Sequence, residues 1–162
     1  MKKLTLSLIN HEKNGDTQIR KYKTKDGNEI SITVQHGKVV YIEYDWLEEK
    51  KSTKTHFNGF VFGKTTLSDL RTRFGNNGFT YTSTAFVESG NGLIAFNCYE
   101  LINSTSNILV FVTKVILNPE INELNIGDHF KLYALILANQ TYLDEIWGKE
   151  KIYDPAYKKI SL

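Results

Sequence analysis

Gly63-Lys64-Thr65 has the look of a chemical motif. The same triplet closes the phosphate-binding loop of many nucleotidases, where a first glycine stands four residues upstream. Counting back from Gly63 puts that glycine at position 58, which is Asn, while Gly59 leaves only three intervening residues. The segment between, Phe60-Val61-Phe62, is also unsuited. Such a loop must bring backbone N–H groups close around phosphate oxygens, and bulky apolar side chains obstruct that wrap. The expected role is structural: Gly63 turns the chain into a helix, Lys64 is solvated, and Thr65 or Thr66 caps the helix.

The other reactive residue types are scattered. Cys98 is the one cysteine, so it has no disulfide partner within the chain and is too few thiolates for a cysteine-based metal site. As a nucleophile it would need one of His11, His36, His56 or His129 brought to it by folding. The alternation Ile94, Phe96, Cys98 puts the thiol on the more apolar side of a strand, which is the place of a buried structural cysteine. No two histidines stand at ligand spacing, and Asp144 and Glu145 are adjacent, so they do not share a helix face. No metal or cofactor is expected. Residues 1–56 carry eleven Lys/Arg against eight Asp/Glu, and residues 57–162 carry nine against ten. Neither part has the basic face that a nucleic-acid backbone demands.

Nine Tyr, nine Phe and two Trp remain as the chain's richest resource. Tyr and Trp held on a rigid sheet make good anchors for another protein, because each offers a large contact area at low entropic cost. The expected anchors are Tyr41, Tyr44, Trp46 and Tyr99.

The elements that would position these residues are mostly strands. Residues 17–47 hold three β-rich runs, broken at Asp26-Gly27-Asn28 and His36-Gly37, both suited to tight hairpins. Ile30, Ile32 and Val34 alternate with polar residues, as do Val40, Ile42, Tyr44 and Trp46 with Tyr41, Glu43 and Asp45, so one side of this meander should be covered. The charged stretch 48–56 reads as a linker. A short extended run, Phe57–Phe62, precedes a helix with Thr66 as N-cap, Asp69 in a capping-box position, an apolar stripe of Leu67, Leu70 and Phe74, and Gly75 as the stop. Three strands follow, "FTYTSTAFV", "GLIAFNCYELI" and "NILVFVTKVIL". From Asp128 the period changes. Leu132, Leu135, Ile136, Leu143, Ile146 and Trp147 fit one helical face ending at Gly148, with Asn139-Gln140 as a break that would make two shorter helices. A last strand is broken at Asp154-Pro155. The expected fold is α+β, order βββ-α-βββ-α-β, with an antiparallel sheet of two meanders packed against two or three helices. It forms a single domain, 1–162, divisible into subdomains 1–47 and 57–162.

The segment "FVFGKTTLSDLRTRFG", through Phe62, Gly63, Thr65, Leu67, Leu70, Phe74 and Gly75 and the strands from Phe79, resembles the glycine-framed helix of BamE-type outer-membrane-assembly lipoproteins and of the β-lactamase inhibitor protein. The inhibitor protein uses that unit twice, and "LNIGDHFKLYALIL…LDEIWG" would be the diverged second copy, framed by Gly127 and Gly148. The resemblance implies a scaffold whose sheet recognises another protein, together with a periplasmic address. The N-terminus itself, "MKKLTLSLIN", begins like a secretory signal but runs into His11-Glu12-Lys13, and no stretch reaches the ~20 apolar residues of a membrane span. If Met1 is the native start, a cytoplasmic setting is expected, and a trimmed leader would make it periplasmic. The expected function is non-enzymatic binding of a protein partner, as an inhibitor, immunity-type protein or envelope-assembly factor. The alternative is a small-molecule or enzymatic site assembled near Cys98 and His129.

Overall fold

The computed structural model describes residues 5–48, 55, 57, 59–85 and 87–162. Four antiparallel strands open the chain: β1 (Leu6–Asn14), β2 (Thr17–Thr24), β3 (Glu29–Gln35) and β4 (Lys38–Asp45). Helix α1 (Leu67–Phe74) leads to β5 (Phe79–Tyr81), β6 (Val87–Ser89), β7 (Gly92–Glu100) and β8 (Asn107–Ile116). A one-turn helix α2 (Ile126–His129), strand β9 (Lys131–Asn139), helix α3 (Gln140–Trp147) and strand β10 (Lys151–Tyr153) complete it. All ten strands belong to one sheet, ordered β1-β2-β3-β4-β9-β8-β7-β5-β10, with β6 also paired to β7. The fold is α+β, dominated by antiparallel sheet.

Local chemistry explains the turns. His36 and Gly37 both take positive φ, 49° and 76°, as a two-residue hairpin loop requires. Thr66 caps α1 through a capping box: its hydroxyl accepts from the Asp69 N–H and its own N–H donates to the Asp69 carboxylate. Gly75 closes the helix in the left-handed region at φ 71°.

Several expectations need correction. The opening meander has four strands rather than three, because β1 precedes the three expected runs. "FTYTSTAFV" is not one strand but β5 and β6, separated by a 3-10 turn over Thr82–Thr84. Residues 59–66 form turns and isolated bridges, not the extended run expected to end at Phe62. The main error lies at 131–139, expected as helix and found as β9. There Leu132, Leu135 and Ile136 satisfy a helical spacing by coincidence. A β-bulge at Val112/Thr113, opposite Leu132–Ala134, shifts the pleat and disguises the period of two. The helix proper is confined to Gln140–Trp147, capped by Asn139. Of the expected linker, residues 49–54 and 56 lie outside the described residues.

The sheet is covered on both faces over its centre, while the apolar side of the opening meander, Ile30, Ile32, Ile42 and Tyr44, faces one of the two clusters. Along β8, Leu109 and Phe111 join one cluster with Phe60, Phe62, Leu70 and Phe74, the α1 side. Ile108, Val110 and Val112 join the other, with Cys98, Ile136 and Leu143, the α3 side. A strand buried on both faces reads as a continuous apolar run, which is what Ile108–Val112 is. Strand β4 pairs with β9, so the opening meander and the remainder share one sheet and its cores.

Candidate functional site

The four expected anchors fall in three places. Tyr99 is fully buried and Tyr44 is 5% exposed. Tyr99 donates to the Asn76 carbonyl at 3.0 Å and packs on Phe74 and Phe111, while Tyr44 meets Phe62 edge-on. Both are core residues, and neither can serve as a surface anchor as the structure stands. Tyr41 is half-buried on the α3 side, donating to Glu43 at 3.0 Å and touching Tyr142 edge-on. Burial and the Glu43 charge raise its phenol well above the ordinary value. Trp46 stands apart, at the end of β4, in the wall of a cleft.

That cleft has a volume of about 240 Å3 and is built from three neighbouring strand ends. Trp46 and Glu48 come from the run beyond β4, Lys114 and Ile116 from the end of β8, Lys131 and Tyr133 from the start of β9, and His129 from the last residue of α2. Lys114 and Ile116, two residues apart on β8, leave the sheet on one side. The backbone N–H of Trp46 donates to the Tyr133 carbonyl at 3.0 Å, tying two walls together. The Trp46 ring stacks on Phe62, with centroids 6.4 Å apart and planes within 8°. It also lies against Gly63, where a Cβ would come within 2.4 Å of Cη2. Gly63 holds φ 69° as well, so two independent constraints demand glycine there. Across the cleft, the Lys114 ammonium lies 5.3 Å from the centre of the Tyr133 ring. Burial, and the charges of Glu48, Asp45 and Glu43, raise the Tyr133 phenol.

The same geometry accounts for the Gly-Lys-Thr triplet. The Gly63 N–H donates to Leu132, and the Lys64 and Thr65 N–H groups both donate to Val61. The Thr65 hydroxyl accepts from the Val61 N–H at 2.8 Å. The three N–H groups of the triplet are therefore spent within the chain.

Cys98 and His129, the alternative centre, are not brought together. Cys98 is fully buried in the α3-side cluster, and burial pushes its thiol well above the ordinary range, while His129 lines the Trp46 cleft. Among the described residues, no three His, Cys, Asp or Glu side chains cluster as metal ligands would.

Two polar constellations are invisible to sequence reading. Asp144 accepts from the Tyr81 hydroxyl at 2.8 Å and pairs with Lys151 at 2.7 Å, with side-chain exposures of only 21% and 9% for the acid and the lysine. The lysine also lies 5.0 Å from the Tyr81 ring. This cluster joins α3, β5 and β10. Asp45, on the same side of β4 as Glu43, faces Glu29 across the β3–β4 pair. Burial and those two carboxylates raise its pKa to about 7. Asp144, Tyr81 and Lys151 come from three different elements, and Glu29 from a strand other than the one that carries Glu43 and Asp45, so only the Glu43–Asp45 spacing is local. The cleft was more accessible to sequence reading. Lys131 and Tyr133 come together with Lys114 only if 131–139 is read as strand, and His129 joins them from the end of α2.

Comparison with protein-family models, with curated proteins and with solved structures finds no match to this chain.

Proposed function

We propose that this protein is a non-enzymatic binding module that takes hold of another protein at the Trp46 end of its sheet. The observation that carries the reading is the immobilised Trp46 ring. It rests on Phe62 and Gly63 and forms one wall of an open cleft beside exposed Ile116 and Leu117. Preorganised Trp and Tyr in a small pocket are the usual energetic centre of a protein interface, because little side-chain entropy is left to lose. The cleft's size supports a side-chain anchor. At about 240 Å3 it falls short of the ~300–1,000 Å3 common for small-molecule sites. The likeness of the Phe62–Gly75 segment to the inhibitor and assembly-factor helices points the same way, towards occlusion or scaffolding. The alternative of a small-molecule or enzymatic site at Cys98 and His129 has less support, since the two side chains do not share a cavity.

Photo-crosslinking tests this. A benzoylphenylalanine placed at Ile116 should label one protein in an extract of the source cells. The same group at Lys149, in the exposed turn after α3, should not. Trp46→Phe, which preserves an aromatic ring against Phe62, should reduce the labelling, and Trp46→Ala should abolish it. Equal labelling from both positions, or labelling indifferent to Trp46, would remove the proposal.

A further inference from the structure

Lys114 and Lys131 are direct partners in the β8–β9 register. Their side chains therefore leave the sheet next to each other, and both line the Trp46 cleft. Like charges directly opposite on neighbouring strands destabilise the pair. Among the described residues, neither ammonium has a carboxylate at ion-pair distance, although Glu48 stands in the same cleft. Among the residues that line the cleft, two lysines face one acid, Glu48, while Asp45 and Glu43 act on Tyr133 from outside the lining. The walls between the lysines are apolar or aromatic: Trp46, Tyr133 and Ile116.

We infer that the cleft receives an acidic side chain of the partner protein, a Glu or Asp beside an apolar residue, with its carboxylate between Lys114 and Lys131. The inference rests on the partner-binding reading and names the partner's chemistry. A carboxylate fits better than a phosphate. Phosphate sites generally add arginine or free backbone N–H groups, and here the N–H groups of Gly63, Lys64 and Thr65 are already engaged. An apolar neighbour on the partner would lie on the Trp46 and Ile116 walls, where its burial favours the complex.

The test uses the full chain and two capped peptides, acetyl-Leu-Glu-Leu-amide and its Gln isostere, with inorganic phosphate as a third probe. The indole N–H signals of Trp46 and Trp147 report by NMR, Trp147 serving as an internal control on the α3 side. The Glu peptide should move Trp46 and leave Trp147 in place. It should bind about fivefold tighter than the Gln peptide at low salt, a margin that shrinks as salt is added. Lys114→Gln with Lys131→Gln should erase the margin without weakening the Gln peptide, a result that mere unfolding would not produce. Equal affinity for the two peptides, or tighter binding of phosphate, would overturn the inference. If crosslinking still depends on Trp46 in that case, the partner-binding reading survives with a different occupant. If the Glu peptide binds as expected but no protein is captured from Ile116, it is that reading which falls.

Discussion

Gly63 shows how one residue can look like chemistry and be geometry. It has a positive φ and a tryptophan ring where a side chain would go. Gly63→Ala should therefore cost about 1–3 kcal/mol, since it combines a strained backbone with a clash against a ring that has little room to move. Urea unfolding measures the cost, and a change in Trp46 emission would show that the ring is displaced. Asp45 makes a prediction of a different kind. Its folded-state pKa of about 7 lies above the ordinary carboxyl value. The folded chain thus keeps a proton that the unfolded chain has lost, and stability falls as pH rises from the ordinary carboxyl range to about 7. Asp45→Asn removes that fall. Its advantage over the parent protein should be absent near about pH 4 and grow to roughly 1–3 kcal/mol by about pH 8. An unchanged difference across that range would show that Asp45 is not the titrating group.

At the scale of elements, the helices are local objects and the strands are not. Helix α1 was legible because its signals lie within ten residues: Thr66, Asp69, the Leu70 and Phe74 stripe, and Gly75. The hairpins at Gly27 and His36-Gly37 were legible for the same reason. Strand β9 was not, because a buried strand and a buried helix segment both read as apolar runs, and its bulge breaks the alternation. Helix α3 is short, with Leu143 as its fully buried contact, so its place depends on more than its apolar face. The Asp144 junction supplies the rest. Asp144→Ala should destabilise the fold by about 2–4 kcal/mol, because it leaves a largely buried Lys151 ammonium without its counter-charge. Tyr81→Phe, which removes one hydrogen bond and keeps the ring, should cost only about 1 kcal/mol. Chemical denaturation of the two variants compares them directly. Equal costs would show that Asp144 acts through the tyrosine hydroxyl and not by balancing the lysine's charge.

Across the whole molecule, burial grades along the sheet. Every β1 side chain but Leu6 is exposed, whereas β8 is buried continuously from Ile108 to Thr113 and flanked by long partners on both sides. Amide hydrogen exchange should follow that gradient. The β8 amides that bond to β7 and β9 should exchange only by global unfolding, and those of β1 by local opening several orders of magnitude faster. Uniform protection across the sheet would mean that the β1–β2 ribbon is held by something beyond its own pairing. The same gradient places the candidate binding site. The cleft lies where the most deeply buried strands, β8 and β9, respectively end and begin, so its walls stand on the packed core, as a preorganised anchor requires.

The sequence by itself determined what depends on neighbours along the chain. It specified an α+β protein rich in antiparallel strands, the capped helix α1, the hairpin turns, the stop at Gly148, and the reading of Gly63-Lys64-Thr65 as a turn into a helix. It also singled out Trp46 and His129, though for different hypotheses. Only the tertiary structure decided what depends on residues far apart. It buried Tyr44 and Tyr99, separated Cys98 from His129, converted 131–139 to strand, and set Lys114 beside Lys131 next to Trp46. The physical reason is that caps and turns are satisfied within a few residues. Strand pairing instead draws its hydrogen bonds and its burial from partners that no local period reveals.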